Sequence, residues 1–189
     1  MYEVEIKYPV DDAAGLEAEL RALGARFAAP LRQTDRYYSH PCRDFARTDE
    51  ALRLRAVDGG VVITWKGPRV GGDTKTRREI ELPLGGPGAP AGTTLGEWDT
   101  LLGALGFRPV REVAKERLPA ALAWDGLEVE VCIDRVPGLG AFLEIEVLAE
   151  ADGVAGAEAR LRTLAAALGC GEPERRSYLE MVIARERRG

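Results

Sequence analysis

The chain has 189 residues, 46% hydrophobic and 30% charged, with a formal net charge of -5, which fits a soluble globular protein and speaks against bulk binding of nucleic acid. No apolar run is long enough to span a membrane, and the N-terminus lacks the basic-then-apolar pattern of a signal peptide. Cys42, Cys132 and Cys170 are odd in number and far apart, which argues against a disulfide framework or a zinc site and fits a reducing cytoplasm.

The opening stretch MYEVEIKYPV alternates as a strand does: Glu3, Glu5 and Lys7 share one face, and Tyr2, Val4, Ile6 and Tyr8 share the other. A helix is expected next, capped by Asp11 or Asp12 and carrying Leu16, Leu20 and Leu23 up to Gly24. DRYYSH reads as a short strand ending before Pro41. Leu52–Arg55, Val61–Lys66 and Arg77–Leu84 read as further strands, separated by Gly59-Gly60 and a loop around Gly71-Gly72. GGPGAPAG is linker-like but too short to mark a boundary, so a single domain over residues 1–189 is expected. Thr94 with Glu97 offers a capping box for a helix through Leu101, Leu102 and Leu105. Arg111–Leu118, Leu127–Val136 and Ala141–Leu148 alternate again, with Gly138-Leu139-Gly140 as a hairpin turn. Ala155–Leu168 and Tyr178–Arg187 read as helices. Gly24–Phe27 and Gly106–Arg108, each after a helix, form a weak internal echo.

Many strands with a few helices imply an α+β fold dominated by an antiparallel sheet. The charged face of the first strand recurs in most of the others. Arg53 and Arg55 alternate with Leu52 and Leu54, and Lys66 lies opposite Trp65. Arg77, Glu79 and Glu81 flank Ile80 and Leu82, and Lys115 and Arg117 oppose Leu118. Glu128, Glu130 and Asp134 oppose Val129, Val131 and Ile133, while Glu144 and Glu146 oppose Leu143, Ile145 and Val147. A solvated sheet face is the ordinary explanation for one such strand. A wet face, however, usually mixes Thr, Ser, Gln and Lys, and here Arg, Lys and Glu dominate, with basic and acidic strands in separate blocks. Closing such a sheet into a barrel brings the charged faces together in one lumen, which is costly unless the charges pair or bind something. The bases suit a polyanion and the acids a hard divalent cation, so a polyphosphate with Mg²⁺ or Mn²⁺ uses both sets.

Glu3-x-Glu5-x-Lys7 resembles the signature of the CYTH superfamily, the triphosphate tunnel enzymes. TDRYYSHPCRDFARTDEALRLR, TWKGPR, Arg77-x-Glu79-x-Glu81, Lys115-x-Arg117, IDRVPGLGAFLEIE and ERRSYLEM resemble further family blocks in family order, most like the class IV adenylyl cyclase branch. The resemblance implies a closed eight-stranded antiparallel β-barrel with flanking helices. It places Glu3, Glu5, Asp134, Glu144 and Glu146 at the metal, with Mg²⁺ or Mn²⁺ as cofactor. Lys7, Arg53, Arg55, Lys66, Arg77, Lys115 and Arg117 match the phosphate-binding bases, and Arg176 joins them from the motif before the last helix. Glu5, Lys115 and Arg117 are the catalytic candidates. Pro119 departs from the family pattern and is expected to shorten its strand.

Two enzyme activities use such a site. A cyclase converts ATP to cyclic AMP and pyrophosphate; a triphosphatase hydrolyses inorganic, thiamine or nucleoside triphosphate. A triphosphate- or polyphosphate-binding module without turnover is the third reading. The expected partner is a small-molecule triphosphate, with no nucleic acid and no membrane, and the resemblance allows a homodimer. The ordered blocks favour the cyclase. Single His40, before Pro41, reads as a turn residue, and Cys132 as packing.

Overall fold

The computed structural model describes residues 1–57, 60–70, 74–84 and 95–187. In chain order these form β1 (Tyr2–Val10), α1 (Ala13–Ala22), β2 (Arg26–Phe27), β3 (Leu31–Ser39), α2 (Phe45–Thr48), β4 (Ala51–Val57), β5 (Gly60–Arg69) and β6 (Arg77–Pro83). Then come α3 (Leu95–Ala104), β7 (Arg108–Trp124), β8 (Leu127–Val136), β9 (Gly140–Ala149), α4 (Val154–Ala167) and α5 (Tyr178–Glu186). The expected loop at Gly71-Gly72, the GGPGAPAG stretch and Thr94 lie outside the described residues, as does Gly59.

The strands are hydrogen-bonded in the order β2-β7-β3-β4-β5-β6-β1-β9-β8, and β8 pairs back onto β7. That last pairing closes eight strands into an antiparallel barrel and leaves the two-residue β2 as an addition beside β7. Closure depends on the length of β7. Its 17 residues pair with β3 over Arg108–Arg117 and with β8 over Glu116–Trp124. Pro119 does not shorten it. The Pro119 carbonyl accepts a hydrogen bond from Ala28 N at 2.9 Å. In a strand, a residue's N and O point to the same side, so the missing N–H faces the gap between β2 and β3 and costs no bond to β8.

The alternation in β1 sets the layers. Val4, Ile6 and Tyr8 point outward and are nearly fully buried against α1 and α4, where Leu16, Leu20, Leu161 and Leu164 complete the largest core cluster. Burying each large side chain contributes roughly 1.5–3 kcal/mol. Asp12 caps α1 by accepting from Ala14 N and Gly15 N. A smaller cluster covers the β4–β5 wall, where Leu52, Leu54 and Val61 meet Leu102 of α3. A third, around Phe142, Tyr178 and Val113, seats α5 on one end of the barrel.

The echo between Gly24 and Gly106 is a shared way of ending a helix. Each glycine has a positive φ, 92° and 91°, and the next amide reaches back, Ala25 N to Leu20 O and Phe107 N to Leu102 O, both 2.9 Å. Cys170 N to Ala165 O repeats the bond after Gly169, so the motif marks helix termini and not an internal repeat. Among the described residues, no helix is long and apolar enough to cross a membrane.

Candidate active site in the barrel lumen

The inward faces of the strands open into a cavity of about 1350 Å³ that runs past the barrel mouth to Phe45 and Leu148, with many ionisable side chains in its lining. Antiparallel pairing puts Glu5 of β1 directly opposite Glu146 of β9, and Glu3 lies one pleat along on the same face as Glu5. Carboxylate oxygens of Glu3, Glu5 and Glu146 come within 4.8 Å of one another. Burial, then the charge of Glu3, pushes the Glu146 carboxyl well above its ordinary range. Burial alone would also raise Glu3, but the Lys66 ammonium and a hydrogen bond with Glu79 override it and hold Glu3 at about 2. Glu79 is pushed the other way: burial, its bond with Glu3 and the Glu3 charge raise it to about 8. Lys66 Nζ bridges the pair, 2.9 Å from Glu3 and 2.7 Å from Glu79. Three converging oxygen donors, with no histidine or thiol among them, are the donor chemistry of a hard divalent cation, so these residues fit Mg²⁺ or Mn²⁺.

The other two predicted acids stand elsewhere in the lumen. Asp134 of β8 is fully buried and accepts both Arg117 Nε and Nη2 at 2.7 Å, Lys115 Nζ at 2.8 Å and the Tyr178 hydroxyl at 3.1 Å. Glu144 is ion-paired with Arg117 and lies 3.9 Å from Lys115. Burial would raise Glu144, but Lys115 and Arg117 hold it well below the usual carboxylate range.

The bases surround these acids. Arg55 grips Asp35 with two bonds of 2.6 and 2.8 Å, and Arg53 reaches Asp35 at 3.5 Å and Thr64 at 3.1 Å. Arg77 is buried and lines the cavity, and its charge helps hold the Asp49 carboxyl below its ordinary value. Lys7 lies beyond the cavity lining. Its ammonium donates to the Arg176 carbonyl at 2.6 Å and sits 3.9 Å from the Tyr178 ring centre. Burial, then the neighbouring Lys75, lowers Lys7 to about 7. The Arg176 side chain is not brought to the lumen; it is half exposed and bound to Glu174. The structure thus gathers Glu3, Glu5, Glu144, Glu146, Arg53, Arg55, Lys66, Arg77, Lys115 and Arg117 around one space.

Sequence reasoning passed over several lumen residues. Asp35, Glu79 and Glu81 were visible in the alternation but had no assigned role; all three pair with lumen bases. Lys75 lies two residues before Arg77, so carrying the period of β6 backward would have put it on the inner face. Gln33 is buried, and its Oε1 has no partner among the described residues. Cys132 is buried in the wall and donates to Glu130 at 3.3 Å; all three cysteines are free. His40 accepts from Cys42 N at 3.0 Å and packs against Phe45 and Phe107, as a turn residue should.

A CYTH domain family model matches residues 1–178. A Methanocaldococcus jannaschii protein named "putative adenylate cyclase" is 37% identical over 146 residues, 77% of each chain. A solved Pyrococcus horikoshii structure superposes with a TM-score of 0.82 at 36% identity, covering 97% of this chain and 99% of that one. A Hippeastrum protein, described as an adenylyl cyclase homologue with a dominant triphosphatase activity, shares the fold with a TM-score of 0.61 at 18% identity, covering 94% and 93% of the two chains. A lumen of paired acids and bases inside an eight-stranded closed barrel, together with a family match over nearly the whole length, makes this chain a member of the CYTH domain family.

Proposed function

We propose that the lumen binds ATP with Mg²⁺ or Mn²⁺ and converts it to cyclic AMP and pyrophosphate. The observation that carries the reading is the convergence of Glu3, Glu5 and Glu146 beside a buried set of lysines and arginines. Bound at that trio, the metal would supply Lewis-acid charge neutralisation to the phosphates. The chain's own residues do the rest. Arg77, a buried base on the cavity lining, is placed to take a phosphate oxygen. Arg53, Lys66, Lys115 and Arg117 exchange carboxylate partners for phosphate oxygens, so substrate replaces one set of charge-assisted bonds with another. In the reaction the ribose 3′-oxygen bonds to the α-phosphorus, and the bond from that phosphorus to the bridging oxygen breaks. The hydroxyl proton passes to a lumen carboxylate. Fixed cations near the departing pyrophosphate stabilise its developing charge, the role assigned to Lys115 and Arg117.

Gln33 favours a nucleotide over a bare triphosphate. Its carboxamide is uncharged, its Oε1 has no partner among the described residues, and it lies on the same face of β3 as Leu31, which with Ala28 and Pro119 also lines the cavity. A carboxamide can pair bidentately with an adenine edge. The name of the M. jannaschii relative points the same way. Hydrolysis of a triphosphate is the second reading, favoured by the large number of charged groups suited to phosphate and by the activity described for the Hippeastrum protein. Incubation with ATP, inorganic triphosphate and thiamine triphosphate under Mg²⁺ or Mn²⁺ separates them. The proposal expects cyclic AMP and pyrophosphate from ATP; orthophosphate without cyclic AMP would replace it with the triphosphatase reading. Binding of all three without turnover would leave a triphosphate-binding module.

A further inference from the structure

Lys75 belongs to no strand, yet its ammonium enters the lumen and lies 2.6 Å from Glu5 Oε1. The strap that carries it is built for that placement. Lys75 N donates to Glu5 O at 2.9 Å, and Val70 N donates to Thr76 O at 2.8 Å. The first extends the β6 edge along β1, where regular pairing is confined to Tyr2↔Arg78 and Glu3↔Arg77, and the second carries the β5–β6 pairing past Arg69↔Arg77. Thr74 and Thr76 flank Lys75 and are both buried. Their hydroxyls lie 2.7 Å apart and meet Glu158 of α4 on the outside of the barrel, Thr76 at 3.1 Å. With both neighbours turned outward onto one carboxylate, period-two alternation sends Lys75 inward.

Glu5 is the sole ion-pair partner of Lys75 among the described residues, and it also belongs to the three-acid cluster. One carboxylate cannot serve an ammonium and a divalent cation equally well. A cation at the trio takes charge from the Lys75 contact, and the buried ammonium then needs another anion. We propose that Lys75 is a phosphate-binding residue, presented by the strap that Glu158 anchors and released to the triphosphate when Glu5 turns to the metal. This rests on the metal–triphosphate reading of the lumen. It makes the two ligands cooperative, since each relieves the cost the other meets.

The two halves of the claim move in opposite directions in one variant. In titration calorimetry, Lys75→Met should bind inorganic imidotriphosphate, in the presence of Mn²⁺, about tenfold more weakly or worse than wild type. The same variant should bind Mn²⁺ alone roughly fivefold more tightly, because Glu5 has lost its competing ammonium. Glu158→Gln, outside the lumen, should weaken imidotriphosphate in the same direction and add little to Lys75→Met in the double variant. Unchanged imidotriphosphate affinity in Lys75→Met, or Mn²⁺ affinity that stays equal or falls, overturns the assignment of Lys75 while the wild-type lumen still binds its ligands. If Lys75→Met does not fold, unaltered imidotriphosphate affinity in Glu158→Gln overturns it. Wild-type protein that binds neither probe overturns the reading of the lumen as well.

Discussion

Two groups of acids share the lumen, and they look alike in the sequence. Glu3, Glu5 and Glu146 crowd together within 4.8 Å, with Lys66 and Lys75 as their near cations. Asp134 and Glu144 stand beside Lys115 and Arg117, and Asp134 alone accepts four hydrogen bonds. The first group is crowded, and burial with the charge of Glu3 pushes the Glu146 carboxyl well above its ordinary range. In the second group the acids are matched and hold up the wall. Glu3 and Glu5 are each held by a single lysine, at 2.9 and 2.6 Å, and Glu146 has no ion pair among the described residues, whereas Asp134 is held by both Arg117 and Lys115. On the metal reading proposed above, a cation would enter first at the trio, and Asp134 and Glu144 would become available once phosphates draw Lys115 and Arg117 away.

Breaking the matched group should cost the most. Asp134→Ala strands Arg117 and Lys115 without their shared acceptor and should destabilise the fold by about 3–5 kcal/mol. Thermal and denaturant unfolding would show it, and a loss below about 1 kcal/mol would mean the pair is no more than a surface-like contact. Glu146→Gln, by contrast, replaces a carboxyl whose ionisation burial and the Glu3 charge already disfavour, and should leave stability equal or higher. The next effect is on ligand choice. Gln33→Leu should weaken ATP binding about tenfold, the scale of one lost hydrogen-bonding group, and leave inorganic triphosphate unchanged. Equal losses for both would mean that Gln33 does not read the base.

Asp35 gives a pH-dependent version of the matched pair. Burial would raise its pKa, but Arg53 and Arg55 depress it below the ordinary aspartate value. A depressed carboxyl contributes stability that is present above its unfolded pKa and is lost as pH falls through the folded one. Acid should therefore destabilise wild type more steeply than Asp35→Asn in the range below about pH 4. Parallel acid-unfolding curves would remove Asp35 from the account. The smallest effect belongs to Arg26–Glu128 at the mouth, where both side chains are more than half exposed. Arg26→Ala should change stability by no more than about 1 kcal/mol.

Much of this was legible because strands have a strict period. Glu3, Glu5 and Lys7 on one face of β1, with Val4, Ile6 and Tyr8 on the other, fixed which side chains line the barrel. The α+β class and the ring of inward charge followed from repeating that reading. The partition of the acids was not legible, since it depends on which strand lies beside which: Asp134 meets Arg117 because β8 pairs with β7 in that register. Lys75 escaped because it precedes the strand, on a strap whose direction is set by Glu158 more than 80 residues away. Arg176 misled for the opposite reason. Its motif places the backbone at the site, where its carbonyl holds Lys7, while the side chain turns to Glu174. Pro119 misled because a proline stops a strand only when its missing N–H is needed by a neighbour.

The division between the two acid groups is tested most directly by titrating Mn²⁺, without any phosphate, into wild type, Glu146→Gln and Glu144→Gln. The account predicts that Glu146→Gln weakens Mn²⁺ at least about tenfold, while Glu144→Gln stays within about threefold of wild type. Wild-type affinity in Glu146→Gln, or an equal loss in Glu144→Gln, would contradict it.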